Sequence, residues 1–111
     1  MLHRYGTSIQ QGGVASRAGN LYDAILGRRL SREVLNFGFA GNGHEDIGVA
    51  KYLGTLPAAV IMLDCLPNMN AATVAAKTVP VVKCAPTCPP APRHCPRMAV
   101  AWACAVLALG S

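Results

Sequence analysis

The sequence predicts an α/β fold with a parallel sheet covered by helices. Two observations carry this. Up to about Lys83, short apolar stretches alternate with Gly- and Asn-bearing loops and with helix-patterned segments, and regular alternation of strand and helix builds crossover units whose strands run parallel. Residues 58–63 form a wholly apolar run of strand length, as a central parallel strand buried on both faces requires. At 111 residues the chain supports one domain at most, and such a domain buries only about two-thirds of its unfolded surface.

Taken in order, the first strand is expected over residues 2–5, followed by a loop from Gly6 to Gly19. A helix then spans residues 21–30, with Leu21, Ala24, Ile25 and Leu30 near one face and Asn20 as its N-cap. The second strand covers residues 33–37. The stretch from Gly38 to Gly43 is too glycine-rich to continue it and must turn. Residues 46–53 read as a short helix, and the apolar run at 58–63 is the third strand. Asn70 can cap a helix reaching about Val82, with Pro80 kinking or shortening its last turn.

After Lys83 the composition changes. Pro86, Pro89, Pro90, Pro92 and Pro96 fall within eleven residues, and no acidic side chain occurs from Cys84 to Ser111. The expected division is therefore 1–83 as the folded part and 84–111 as a Pro/Cys-rich, then apolar, poorly structured tail outside the fold. Its Cys, Pro, Arg and Ala bias is what a GC-rich coding sequence yields when read in a shifted frame, so a frameshifted or truncated gene is the expected origin. Residues 98–109 are apolar but fall short of the roughly 20 residues that span a bilayer. An interfacial dip flanked by Arg93 and Arg97 is the weaker alternative.

Composition excludes several function classes. The net charge is +5, yet the cations are dispersed. Only Arg28, Arg29 and Arg32 cluster, where they suit the negative end of a helix. Nucleic-acid binding needs a denser basic stripe with interleaved aromatics, and no such partner is expected. Cys84, Cys88, His94 and Cys95 lack the well-separated pairs of a structural zinc site, so no metal and no cofactor are expected. Residues 1–20 lack an apolar secretory core, being broken by His3, Arg4, Gly6, Gln10, Gln11 and Gly12. With five cysteines, an odd number, the expected compartment is the reducing cytoplasm.

Three residues stand just after the three expected strands: Ser8, Gly41 and Asn68. Ligands of open parallel sheets bind beyond the carboxyl ends of the strands. A hydroxyl, a glycine N–H and a side-chain amide converging there suit acyl transfer: Ser8 as nucleophile, and the N–H groups of Gly41 and Ser8 with the Asn68 amide as donors to the oxyanion. Each residue also has a structural reading. Ser8 could cap or turn the chain, Gly41 could serve a positive φ, and Asn68 after Pro67 could start a turn or cap a helix.

Tyr5-Gly6-Thr7-Ser8-Ile9 resembles the first block of the SGNH (GDSL-like) hydrolases, in the subset with Thr where Gly-Asp-Ser is more usual. Asn36-Phe37-Gly38-Phe39-Ala40-Gly41-Asn42-Gly43 resembles the second block, and Leu63-Asp64-Cys65-Leu66-Pro67-Asn68-Met69 the third. The resemblance covers about residues 3–83. It implies the first three strands of a flavodoxin-like three-layer fold, a serine nucleophile at Ser8, oxyanion donors at Gly41 and Asn68, and hydrolysis of acyl or acetyl esters of small molecules or carbohydrates. The nucleophile elbow of α/β-hydrolases does not fit, because position 10 is Gln where a second glycine is needed.

The same resemblance implies a late Asp-x-x-His block supplying the general base, and no such block occurs in the chain. His3 precedes the nucleophile, His94 lies in the tail, and His44, beside Glu45 and Asp46, is the one candidate for a substitute. The expectation is an esterase site that is catalytically incomplete in this chain. The competing expectation is a noncatalytic remnant or binding module that keeps the oxyanion pocket.

Overall fold

The computed structural model describes residues 1–84 and 99–102. Strands β1 (Leu2–Gly6), β2 (Val34–Gly38), β3 (Val60–Asp64) and β4 (Ala99–Trp102) form one sheet in the order β2-β1-β3-β4. Every pairing is parallel, with Gly6 opposite Gly38 on one side and Asp64 on the other. Helices α1 (Ser8–Gln11), α2 (Tyr22–Leu30), α3 (Ile47–Thr55) and α4 (Ala71–Cys84) connect or follow the strands. The fold is α/β, as the alternation predicts.

The two faces of the sheet differ in chemistry. In parallel register, His3, Leu35 and Ile61 share one face with Tyr5, Phe37 and Leu63. There they meet α3 and α4, and Tyr5, Ala50, Leu53, Ala58, Ile61, Leu63, Cys65 and Val81 make the buried apolar core. On the opposite face Arg4 and Asn36 form one row, and Gly6, Gly38 and Asp64 the next. Here α1 and α2 cover the sheet through polar contacts, with Arg4, Gln10, Asp23 and Asp64 all buried.

Several local expectations are corrected. Asn20 does not cap α2: it closes a 3₁₀ turn over Ala18–Asn20, its amide donates to the Ser16 hydroxyl, and the N-cap position belongs to Leu21. The loop expected after the first strand contains α1, begun by Thr7, whose hydroxyl accepts from the Ile9 N–H, and ended by Gly12 in the left-handed conformation. Helix α4 continues through Pro80 to Cys84. A proline inside a helix costs about 3 kcal/mol, and the fully buried Val81 beside it anchors that turn in the core.

The tail expected to lie outside the fold contributes one strand, since Ala99–Trp102 pairs with β3 from Val60 to Leu63. An apolar four-residue segment supplies ladder partners to the otherwise open edge of β3. The remainder of that expectation, residues 85–98 and 103–111, falls outside the described residues, as do His94, Cys88 and Cys95. Among the described residues no helix is long and apolar enough to cross a membrane, and no group of three or more metal-ligating side chains occurs.

Candidate active site

Ser8, Gly41 and Asn68 lie beyond the carboxyl ends of β1, β2 and β3, which are adjacent strands with β1 in the middle. Glycines bring these ends close. A Cβ on Gly43 would sit 2.2 Å from the Gly6 carbonyl oxygen and 3.1 Å from the Thr7 nitrogen, so the loop after β2 packs directly on the start of α1. The Phe39 N–H donates to the Gly6 carbonyl at 2.9 Å, and the Ala40 N–H donates to the Gln11 side-chain oxygen at 2.9 Å. The Gly41 loop is thus fastened to β1 and α1 on both sides of the glycine.

At the serine and the asparagine, helix capping is done by a neighbour. Capping of α1 is done by Thr7, which leaves Ser8 exposed as the first helical residue. Its N–H has no intrahelical acceptor, as holds for any first-turn position. Capping of α4 is done by Asn70, whose side-chain oxygen accepts from the Thr73 N–H at 2.9 Å while the Asn70 N–H donates to the Thr73 hydroxyl. Asn68 instead closes a 3₁₀ turn over Leu66–Asn68, and its Nδ2 is buried without a hydrogen-bond partner among the described residues. Gly41 does adopt a positive φ, +71°. A Cβ there would meet nothing within 4 Å, and its N–H takes no part in the turn bonds that Asn42 and Gly43 make to Phe39.

A polar network underlies the site. Arg4 of β1 pairs with Asp23 of α2 and lies over the Tyr22 ring at 3.9 Å. Asn36 of β2 donates through Nδ2 to Asp23 and to the Gln10 carbonyl, and accepts the Gly38 N–H at 2.8 Å. Gln10 in turn donates to the Asp64 carboxylate at the end of β3. Sequence reading missed this network. A cavity of about 510 Å³ between α2 and β2 is lined by Asp23 and Asn36 of that network together with Leu21, Ala24, Gly27, Arg28 and Val34.

On the other face, Glu45 is buried with φ +54° and accepts from the Thr78 hydroxyl. Its neighbour Asp46 caps α3 and donates its own N–H to the Tyr5 hydroxyl. Burial pushes the Tyr5 phenol up to about 12 and the Cys65 thiol up to about 11. His3, buried on β1 against Phe37, has no hydrogen-bond partner at either ring nitrogen among the described residues. It occupies the core, remote in sequence register from the strand ends. His44 is half-buried in the loop after β2, one residue from the Gly43 contact with Thr7.

Parallel strands joined through helices define an open-sheet α/β protein, a class whose ligands bind beyond the carboxyl ends of the strands. The family model of GDSL-like lipases and acylhydrolases matches residues 2–92, and the chain belongs to this family. A crystal structure of a GDSL-like lipase from Bacteroides ovatus is 33% identical, with a TM-score of 0.76 over 89% of this chain and 28% of that one. The chain therefore spans about a quarter of that relative's length. No curated protein matches the chain.

Proposed function

We propose that this chain carries the nucleophile and oxyanion-binding part of a serine ester hydrolase of the SGNH type, acting on acyl or acetyl esters of small molecules or carbohydrates. The Ser8 oxygen attacks the carbonyl carbon, and the Gly41 N–H, the Ser8 N–H and the Asn68 amide donate to the oxygen that becomes negative. The observation that carries this reading is Asn68 Nδ2, a buried donor with no acceptor among the described residues. Leaving a buried polar group unpaired costs about 1–3 kcal/mol, a cost that a substrate oxygen arriving at that donor removes.

Attack also requires that the Ser8 proton go to a base. His3 is enclosed in the core, and the chain has no Asp-x-x-His block. We therefore propose that the chain alone acts only slowly, since loss of a triad member leaves only about 10³- to 10⁴-fold catalysis over water. The test pairs two measurements. A serine-directed fluorophosphonate should modify Ser8, read by mass spectrometry, and not the Ser8→Ala chain. Turnover of short-chain aryl esters should be no faster than that of Ser8→Ala until a family C-terminal half is fused in frame. Modification elsewhere, or none even after a family C-terminal half is fused in frame, overturns the nucleophile. Serine-dependent turnover lost in His44→Ala identifies His44 as the base and overturns the incompleteness.

A further inference from the structure

We propose that Gln10 is a positioning residue that fixes Ser8 through a side-chain bridge from α1 to Asp64, a reading that rests on Ser8 being the nucleophile. Helix α1 has four residues, far below the length at which a helix holds its own shape in water. Ser8 is exposed and its hydroxyl is anchored to no described residue, so its direction follows from whatever holds the turn.

That hold runs through Gln10. Its side chain is 1% exposed, an unusual burial for glutamine, and one that is costly unless hydrogen-bonded. Its Nε2 donates to the Asp64 carboxylate, and its backbone carbonyl accepts from Asn36. One residue therefore ties α1 to β3 by its side chain and to β2 by its main chain. It crosses the end of β1 on the way: a Cβ on Gly6 would lie 2.1 Å from Gln10 Cγ, so only glycine lets the Gln10 stem pass. A bond to an ionised acceptor is among the stronger and more directional kinds, and small displacements of a nucleophile carry large rate penalties.

Reversing the bridge tests this without emptying the space. Gln10→Glu sets two carboxylates against each other with no donor between them. Adding Asp64→Asn restores a donor and an acceptor in opposite sense. Ser8 modification by the fluorophosphonate should slow about 10-fold in Gln10→Glu and return to within about twofold of the parent in the double variant. Amide exchange should accelerate in α1 and recover in the same order, while α3 and α4 keep their protection. A Gln10→Glu chain that is modified at the parental rate, or a double variant no better than Gln10→Glu, overturns the positioning role. A parent chain unmodified at Ser8 both alone and when completed with a family C-terminal half instead overturns the nucleophile on which it rests, even where exchange shows α1 held by Gln10.

Discussion

The Asp46 N–H donates to the Tyr5 hydroxyl at 2.9 Å, joining the N-cap of α3 to the fully buried aromatic of β1. This bond fastens the far end of the loop that carries Gly41. Tyr5→Phe keeps the ring, and its edge-to-face contact with Phe39 at 5.9 Å, but removes the acceptor. The expected loss is about 1–2 kcal/mol, read as a lower urea midpoint with an unchanged slope.

Gly38 sits where a side chain has no room. A Cβ there would fall 2.1 Å from the Gln11 nitrogen and 2.6 Å from its Cα, and both are backbone atoms. Gly38→Ala should therefore destabilise the fold by about 1–3 kcal/mol through overpacking and displace α1. Thermal unfolding and the rate of Ser8 modification should both report it, whereas Gly13→Ala, which meets nothing within 4 Å, should leave both nearly unchanged.

Asp23 accepts from both Arg4 and Asn36. Asp23→Ala leaves the Arg4 guanidinium buried with no carboxylate, and Arg4 Nε already lacks a partner among the described residues. Breaking such a pair from one side costs about 3–5 kcal/mol. Chemical denaturation should show Asp23→Ala as far more damaging than Glu33→Ala, which alters an exposed carboxylate.

Stability should fall toward both ends of the pH scale. Burial, and then the positive N-terminus, hold the His3 imidazole below its ordinary 6.5. The unfolded chain thus takes up a proton that the folded chain refuses, and stability declines as pH drops below about 6.5. On the alkaline side the buried phenol of Tyr5 and thiol of Cys65 ionise near 12 and 11 instead of 10 and 9. The unfolded chain releases those protons first, so stability declines as pH rises above about 9. Urea midpoints at pH 5.5, 7.5 and 10.5 should peak at the middle value, and His3→Phe should narrow the gap between the first two.

Asn68→Ala removes the unpartnered donor. In a chain completed with a family C-terminal half, serine-dependent ester turnover should drop about 10²-fold, mainly in kcat, while folding stability stays equal or rises because a buried amide no longer lacks a partner. A loss of stability with unchanged kcat would assign Asn68 a structural duty instead.

What the sequence made legible was local. The apolar run at 58–63 announces the central strand, although β3 begins only at Val60 because Ala58 packs in the core and Ala59 bonds to the Met1 carbonyl from outside the ladder. The positions of Ser8, Gly41 and Asn68 after strands follow from the same alternation. The supporting network is not local: Gln10 and Asp64 are separated by 54 positions, and nothing in the neighbourhood of a glutamine reveals a distant carboxylate. For Asn20, local preference pointed to a cap, but the 3₁₀ turn ahead of α2 moved the helix start by one residue. Strand β4 was hidden because four apolar residues acquire strand geometry only from the ladder they join.

The first strand of the chain lies in the interior of the sheet, with β2 on one side and β3 on the other. During synthesis it leaves the ribosome before β2 and β3 and finds no hairpin partner, because parallel pairing waits for a crossover to be made. Its β2 flank can close only after Gly38 has emerged, and its β3 flank only after Asp64. Loop closure must precede the contacts that reward it, which makes such sheets slow to form. Until then Leu2, His3 and Tyr5 lack the ladders that bury them in the folded sheet and are open to pairing with another chain. The folding yield should therefore depend on concentration and on chaperone capture of residues 1–64 before both flanks of β1 have closed.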